Sequence, residues 1–319
     1  MHNRFTDRDI YTETEIGMLS RCRLCPRECG ADRFSGPPGY CGADAGLNIA
    51  SVCIHRGEEP PISGKEGICN IFFAGCNLRC RFCQNHEISR REAAVNIAPV
   101  SINNCLDTVT ALLDQGIKAV GFVSPSHVVP QVKAIIRGLR EKGYNPVTVY
   151  NTNGYDKAET IRSLDGYIDV YLPDYKYVTP ELASEWSDAA DYPGVVLAAL
   201  KEMYYQKGSV LHTDQEGNAL GGILVRHLVM PGHAEESIKV IKSLAEELSP
   251  GISISLMSQY HPTAEVENVP FLNRHIEPDE YNRVVSAAFS AGFRKIWIQD
   301  PDSHLNYLPD FSREHPFEG

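Results

Sequence analysis

The chain has 319 residues, 43% of them hydrophobic, which is enough to bury one large core with at most a small appendage. Its 30 Lys and Arg against 41 Asp and Glu give a net charge of −11, so no general basic surface exists to track a phosphate backbone and no nucleic-acid partner is expected. The polar start MHNRFTDRDIYTETEIG lacks the apolar stretch of a signal peptide, and runs such as Val195 to Leu200 are too short to span a bilayer; a cytoplasmic protein with no membrane partner is expected.

Residues 1–60 read as an N-terminal cysteine-rich metal-binding segment and residues 61–319 as a core with a C-terminal tail. From about residue 20 the first segment is rich in Cys, Gly and Pro without sustained periodicity, the texture of a loop-dominated unit ordered by something other than a core. Ile71, Phe72 and Phe73 then form a short apolar strand. Ser101 caps a helix whose Ile102, Cys105, Leu106, Val109, Leu112 and Leu113 share one face, with Gly116 just past its end. Further strands are expected at 118–123, 147–150, 168–172, 223–229, 252–256 and 295–298, and helices at 132–142, 195–205, 235–248 and 278–291. Strands separated by helices of this length predict parallel βαβ units in a barrel or doubly wound sheet, with chemistry at the C-terminal strand ends. HTDQEGNALGG, residues 212–222, reads as a plain surface turn, with a hairpin or lid insertion as the alternative.

The decisive stretch is FFAGCNLRCRFCQN. Cys76 follows the first core strand, Cys80 is four residues on and Cys83 three more, all on a tight loop able to wrap thiolates around a [4Fe-4S] cluster. Three thiolates leave one iron open to a substrate, as in catalytic metal sites. An open iron can chelate the amino and carboxylate groups of S-adenosylmethionine and pass an electron to its sulfonium, yielding methionine and a 5′-deoxyadenosyl radical. A partial zinc site or three buried hydrophobes would not need this spacing, the aromatic Phe82 before the last cysteine, and a preceding strand together.

On these residues the chain resembles the radical S-adenosylmethionine superfamily, and within it the pyruvate formate-lyase activating enzymes and the PflX-like group beside them. The resemblance implies an α/β fold, a partial (β/α)6 barrel with cluster and cofactor at the C-terminal strand ends. It rests further on NTNG at Asn151 to Gly154, DYK at Asp174 to Lys176, RHLVMPG at Arg226 to Gly232 and QYHP at Gln259 to Pro262. It implies that Asn153 makes a polar contact to the cofactor, that Lys176 pairs with the methionine carboxylate, and that Asp174 holds a cation or orients the site. Arg226 becomes a ligand of the cofactor carboxylate, and Phe82 and His261 hold the nucleoside. One departure stands out: the glycine-rich turn expected after the second strand is replaced by FVSPSHV, in which Ser124, Pro125 and Ser126 stand where glycines should; His127 reads first as a buried or surface histidine, with the substrate side of the cavity as the alternative.

Cys22, Cys25, Cys29 and Cys41 supply four thiolates to a coreless segment, enough for a closed tetrahedral site. Zinc, an auxiliary [4Fe-4S] cluster and two disulfides are the three readings; the activating enzymes lack this extension. Cys105, on an apolar helix face, reads as core. The expected function is reductive cleavage of S-adenosylmethionine followed by hydrogen abstraction, either to activate a glycyl radical enzyme or to modify a peptide or small molecule. The expected electron donor is a flavodoxin or ferredoxin. The rival from another class is a noncatalytic iron-sulfur or zinc electron carrier or scaffold, which needs neither an open iron nor polar groups at successive strand ends.

Overall fold

The computed structural model describes residues 8–300, 303, 309–313 and 316–317. After helix α1 (Glu13–Ser20) come strands β1 (Ile49–His55), β2 (Ile68–Phe73), β3 (Ala119–Val123), β4 (Val147–Thr152) and β5 (Val170–Pro173). They continue as β6 (His212–Thr213), β7 (Ala219–Leu228), β8 (Ser253–Met257) and β9 (Ile296–Ile298). Between them lie α2 (Pro60–Ser63), α3 (His86–Ser89), α4 (Arg91–Asn96), α5 (Ile102–Leu113), α6 (Val129–Glu141) and α7 (Ala158–Arg162). Helices α8 (Pro180–Ser187), α9 (Tyr192–Lys207), α10 (Ala234–Glu247) and α11 (Pro278–Ser290) complete the order.

The sheet runs β1-β2-β3-β4-β5-β7-β8-β9. Strands β2, β3, β4, β5, β7 and β8 are parallel neighbours in chain order, the α/β arrangement of a partial (β/α)6 barrel. A short parallel β9 extends one edge and an antiparallel β1 the other. Two expectations change here. Ile49–His55 falls within the stretch read as loop-dominated yet pairs with β2 along its length; Ala50, Ser51, Cys53 and His55 dilute the apolar alternation that would have announced a strand. Residues 212–222 form the hairpin of β6 and β7, closed by Asp214, whose carboxylate accepts the Glu216 and Asn218 amides.

Alternation of side chains divides the core between the two faces of the sheet. Cys69, Ile71, Phe73, Tyr150, Tyr171, Ile223 and Val225 face the helices, where Val109, Ile135, Val196, Val240 and Val284 cover them. Ile68, Val149, Val170, Leu172 and Leu224 point the other way and close around Ile62 of α2. Burying a side chain of this size contributes roughly 1.5–3 kcal/mol, so α2 acts as an apolar plug on that face, and the residues just before it, Glu58 and Glu59, are carried into its centre. The expected helix starting at Ser101 is α5, with the Ser101 hydroxyl accepting the Asn104 amide and Cys105 buried in the core. Among the described residues no helix is long and apolar enough to cross a membrane.

Candidate active site

Parallel strands bring all their C-terminal ends to one side, and the predicted motifs meet there. A cavity of about 320 Å³ is lined by Cys76, Cys80 and Cys83 from the loop after β2, and by Phe82 within that loop. Asn153 after β4, Asp174 and Lys176 after β5, and Arg226 on β7 line it as well. The turn into the cysteine loop requires Gly75: its φ is +82° and a Cβ there would stand 2.4 Å from the Cys41 carbonyl oxygen.

Each thiol has a polar neighbour. Asn153 Nδ2 donates to Cys76 Sγ at 3.3 Å, as does the Leu78 amide at 3.4 Å. Ser187, at the end of α8, donates to Cys80 Sγ at 3.1 Å, and Ser89 Oγ lies 3.3 Å from Cys83 Sγ. Burial pushes the Cys76 thiol up to about 12 and raises that of Cys80 as well, against the pull of the Lys176 ammonium. All ten cysteines are free thiols. Among the described residues no three His, Cys, Asp or Glu side chains stand at metal-coordination geometry, this triad included.

Below the thiols lies a buried charge network. Lys176 Nζ pairs with Asp174 Oδ2 at 2.7 Å, and Arg226 Nε with Asp174 Oδ1 at 3.1 Å. Arg226 also reaches Glu58 Oε2 at 3.1 Å and Asn151 Oδ1 at 2.6 Å. Glu58 in turn accepts Asn70 Nδ2 and Asn151 Nδ2. Burial would raise the Asp174 carboxyl, but Lys176 and Arg226 outweigh it and hold the group below its usual range. Burial raises the carboxyl of Glu59 despite the nearby Arg226. Tyr192 locks two of the motifs together: its hydroxyl sits 2.9 Å from the carbonyls of both Asn153 and Asp174 and accepts the Lys176 amide at 3.1 Å.

Sequence reasoning missed Glu58, Asn70, Ser89 and Ser187, and named Asn151 only as part of NTNG. The one available signal was Asn70, a lone amide within the buried strand ICNIFF. Its partner position is Gly121 on β3, where a Cβ would lie 2.0 Å from Asn70 Oδ1, so the glycine is what lets the amide turn toward Glu58.

Two candidate histidines lie off the cavity, His127 in keeping with its plainer reading as a buried residue. His127 is fully buried among core groups, Nε2 3.0 Å from the Ala74 carbonyl, and burial pushes its pKa down to about 4. It does not line the cavity. His261 also lies outside the lining: Ser255, Met257 and Gln259 alternate into the cavity, but β8 ends at Met257 and His261 packs edge-on against His275, ring centroids 5.0 Å apart. The altered turn after β3 keeps a glycine-like shape without the glycine. Ser124 lines the cavity with φ +50° and ψ +48°, its amide bonded to the Asn151 carbonyl at 2.7 Å. Relief of that left-handed strain outweighs the unfolded-state entropy of glycine, so Ser124→Gly is expected to raise unfolding free energy by about 0.5–1 kcal/mol. A lower urea midpoint would instead assign the side chain a holding role.

Residues 70–245 match the Radical SAM superfamily. Two uncharacterized proteins of Methanocaldococcus jannaschii are similar over most of the chain. One is 25% identical over 284 residues, covering 88% of this chain and 78% of the relative. The other is 23% identical over 310 residues, covering 89% and 82%. Among solved structures, Streptococcus suis SuiB aligns with a TM-score of 0.46 and 14% identity, over 71% of this chain and 47% of that one. HydG, a maturase of the [FeFe]-hydrogenase, aligns at 0.48 and 12%, over 76% and 58%. The chain spans about half the length of these two solved structures.

Proposed function

The chain belongs to the radical SAM superfamily, and from that premise we propose that Cys76, Cys80 and Cys83 ligate its [4Fe-4S] cluster and that the cavity beside them holds S-adenosylmethionine. The observation that carries this reading is the meeting of three thiols with Asn153, Asp174, Lys176 and Arg226 around one cavity at the C-terminal ends of the strands. The donor set fits the group: three soft sulfurs, each with a polar neighbour, and no fourth cysteine among the residues lining the cavity. When bound, the cluster and its ligand supply a one-electron reductive cleavage to methionine and the 5′-deoxyadenosyl radical, which takes hydrogen from a substrate.

The chain's own residues then have separate tasks. The hydrogen bonds from Asn153 and Ser187 stabilise negative charge on the sulfurs of Cys76 and Cys80. Lys176 presents its ammonium to the methionine carboxylate, while Asp174 fixes the direction from which it does so. Arg226 spends three of its five N–H donors on Asp174, Glu58 and Asn151 and keeps two for the cofactor carboxylate. Phe82, flanked by Tyr177 and Tyr260 at 6.5 and 6.1 Å, gives the nucleoside an apolar wall.

A cavity of about 320 Å³ is at the small end for a single drug-sized ligand. With S-adenosylmethionine inside, the substrate enters as a narrow projecting segment. That favours a polypeptide: the glycine loop of a glycyl radical enzyme, in keeping with the motifs shared with activating enzymes, or a peptide to be modified. A flavodoxin or ferredoxin suits the one-electron step. The test is anaerobic reconstitution followed by dithionite and S-adenosylmethionine. Methionine and 5′-deoxyadenosine are expected in equal amounts, and the absence of both overturns the reading. A radical signal appearing on an added glycyl radical partner separates activation from peptide modification.

A further inference from the structure

Cys22, Cys25, Cys29 and Cys41 neighbour one another beside the cysteine loop, outside the cavity and, like the triad, short of coordination geometry. Cys22, Cys25 and Cys41 are buried and Cys29 is exposed. The thiols of Cys22 and Cys29 neighbour each other, and Cys25 and Cys41 are close enough to Cys22 to act on its charge and on each other's. Three of the four sulfurs also receive the backbone amide two residues ahead, from Leu24, Arg27 and Ala31 respectively, and Cys29 receives that of Tyr40 as well.

The second observation is Arg33. Its side chain is 4% exposed, a permanent cation deep in the protein. Nη1 donates to the His127 carbonyl at 2.6 Å and Nη2 points at Cys41 Sγ at 3.6 Å, with Cys22 and Cys25 also facing it. No carboxylate among the described residues forms an ion pair with it. A buried guanidinium surrounded by neutral thiols is costly, whereas one beside a dianionic centre is compensated. Four thiolates around a divalent ion carry that charge.

We propose that these four cysteines bind one zinc ion in a closed tetrathiolate site, with Arg33 as its buried counter-charge. Zinc is chosen over a second iron-sulfur cluster because Cys22 neighbours Cys29 and because Cys22 and Cys41 both meet the one guanidinium of Arg33, the compact arrangement of a single ion, whose bonds of about 2.3 Å in a tetrahedron set sulfurs roughly 3.8 Å apart. A cubane spreads its four thiolates over separate irons. The site is structural and braces the neighbouring loop, since Arg27 Nε donates to the Asn77 carbonyl at 2.9 Å and Cys41 abuts Gly75.

The experiment counts zinc and iron in the full-length chain, purified and reconstituted without oxygen. About one zinc and about four irons per chain are expected, with Cys25→Ser losing the zinc and keeping the iron, and the triple variant Cys76→Ala, Cys80→Ala, Cys83→Ala doing the reverse. Zinc that survives Cys25→Ser, or about eight irons falling to about four in that variant, overturns the proposal. Should Cys25→Ser not fold, zinc-edge absorption of the parent decides, with four sulfurs at about 2.3 Å expected and any nitrogen or oxygen ligand counting against the site. Arg33→Met is expected to speed zinc loss to a chelator about tenfold, with Arg33→Lys restoring most of the retention; equal rates in all three remove Arg33 from the assignment.

Discussion

Exchanging Cys80 for alanine is expected to cut the yield of 5′-deoxyadenosine by more than about a hundredfold. The scale comes from neighbours of metal ligands, whose loss alone costs about 10–100-fold, so a ligand must exceed it. Ser187→Ala supplies the internal calibration. It removes only the hydroxyl donated to Cys80 at 3.1 Å, and a loss of about tenfold is expected with iron content held. The pair therefore reads out separately the need for the sulfur and the need for its hydrogen bond. A Cys80→Ala protein with parental yield would sink the assignment of the triad.

The second large effect is on stability. Arg226, with a side chain 14% exposed, sits between Glu58 at 9% and Asp174 at 14%. Arg226→Met leaves Glu58 buried without its cation and Asp174 with Lys176 alone, and is expected to lower unfolding free energy by about 3–5 kcal/mol, measured by urea denaturation. Adding Glu58→Gln should recover a large part of that loss, because the uncompensated charge disappears with it. Additive effects of the two substitutions would mean that the pair is not coupled.

Much of this site was readable because its parts are short and sit where parallel strands stop. CNLRCRFC, NTNG, DYK and the arginine of RHLVMPG each follow or end a strand that apolar composition alone announces, and strand order in the sheet follows chain order, so residues far apart in sequence converge predictably. What escaped notice has a different physical character. Glu58 reaches the cavity only because α2 plugs the apolar face of the sheet, a tertiary event with no local periodicity. Ser187 and Ser89 are ordinary helix-end residues until their hydroxyls meet a sulfur. Ser124 occupies a left-handed turn that its residue type does not favour, so the sequence hides a backbone conformation that a glycine would have announced. His261 lies off the cavity because the alternation of lining residues stops at Gln259 and its ring packs on His275.

The ion pair of Glu58 with Arg226 joins positions 168 residues apart. A ribosome adding about 5–20 residues per second needs roughly 8–34 s to travel from one to the other. Through that interval the nascent chain carries β1 to β5 with a carboxylate lacking its partner, and the plug around Ile62 lacks Leu224. Closure of this face is thus deferred to the emergence of β7, and the last third of the chain decides when the site becomes dry.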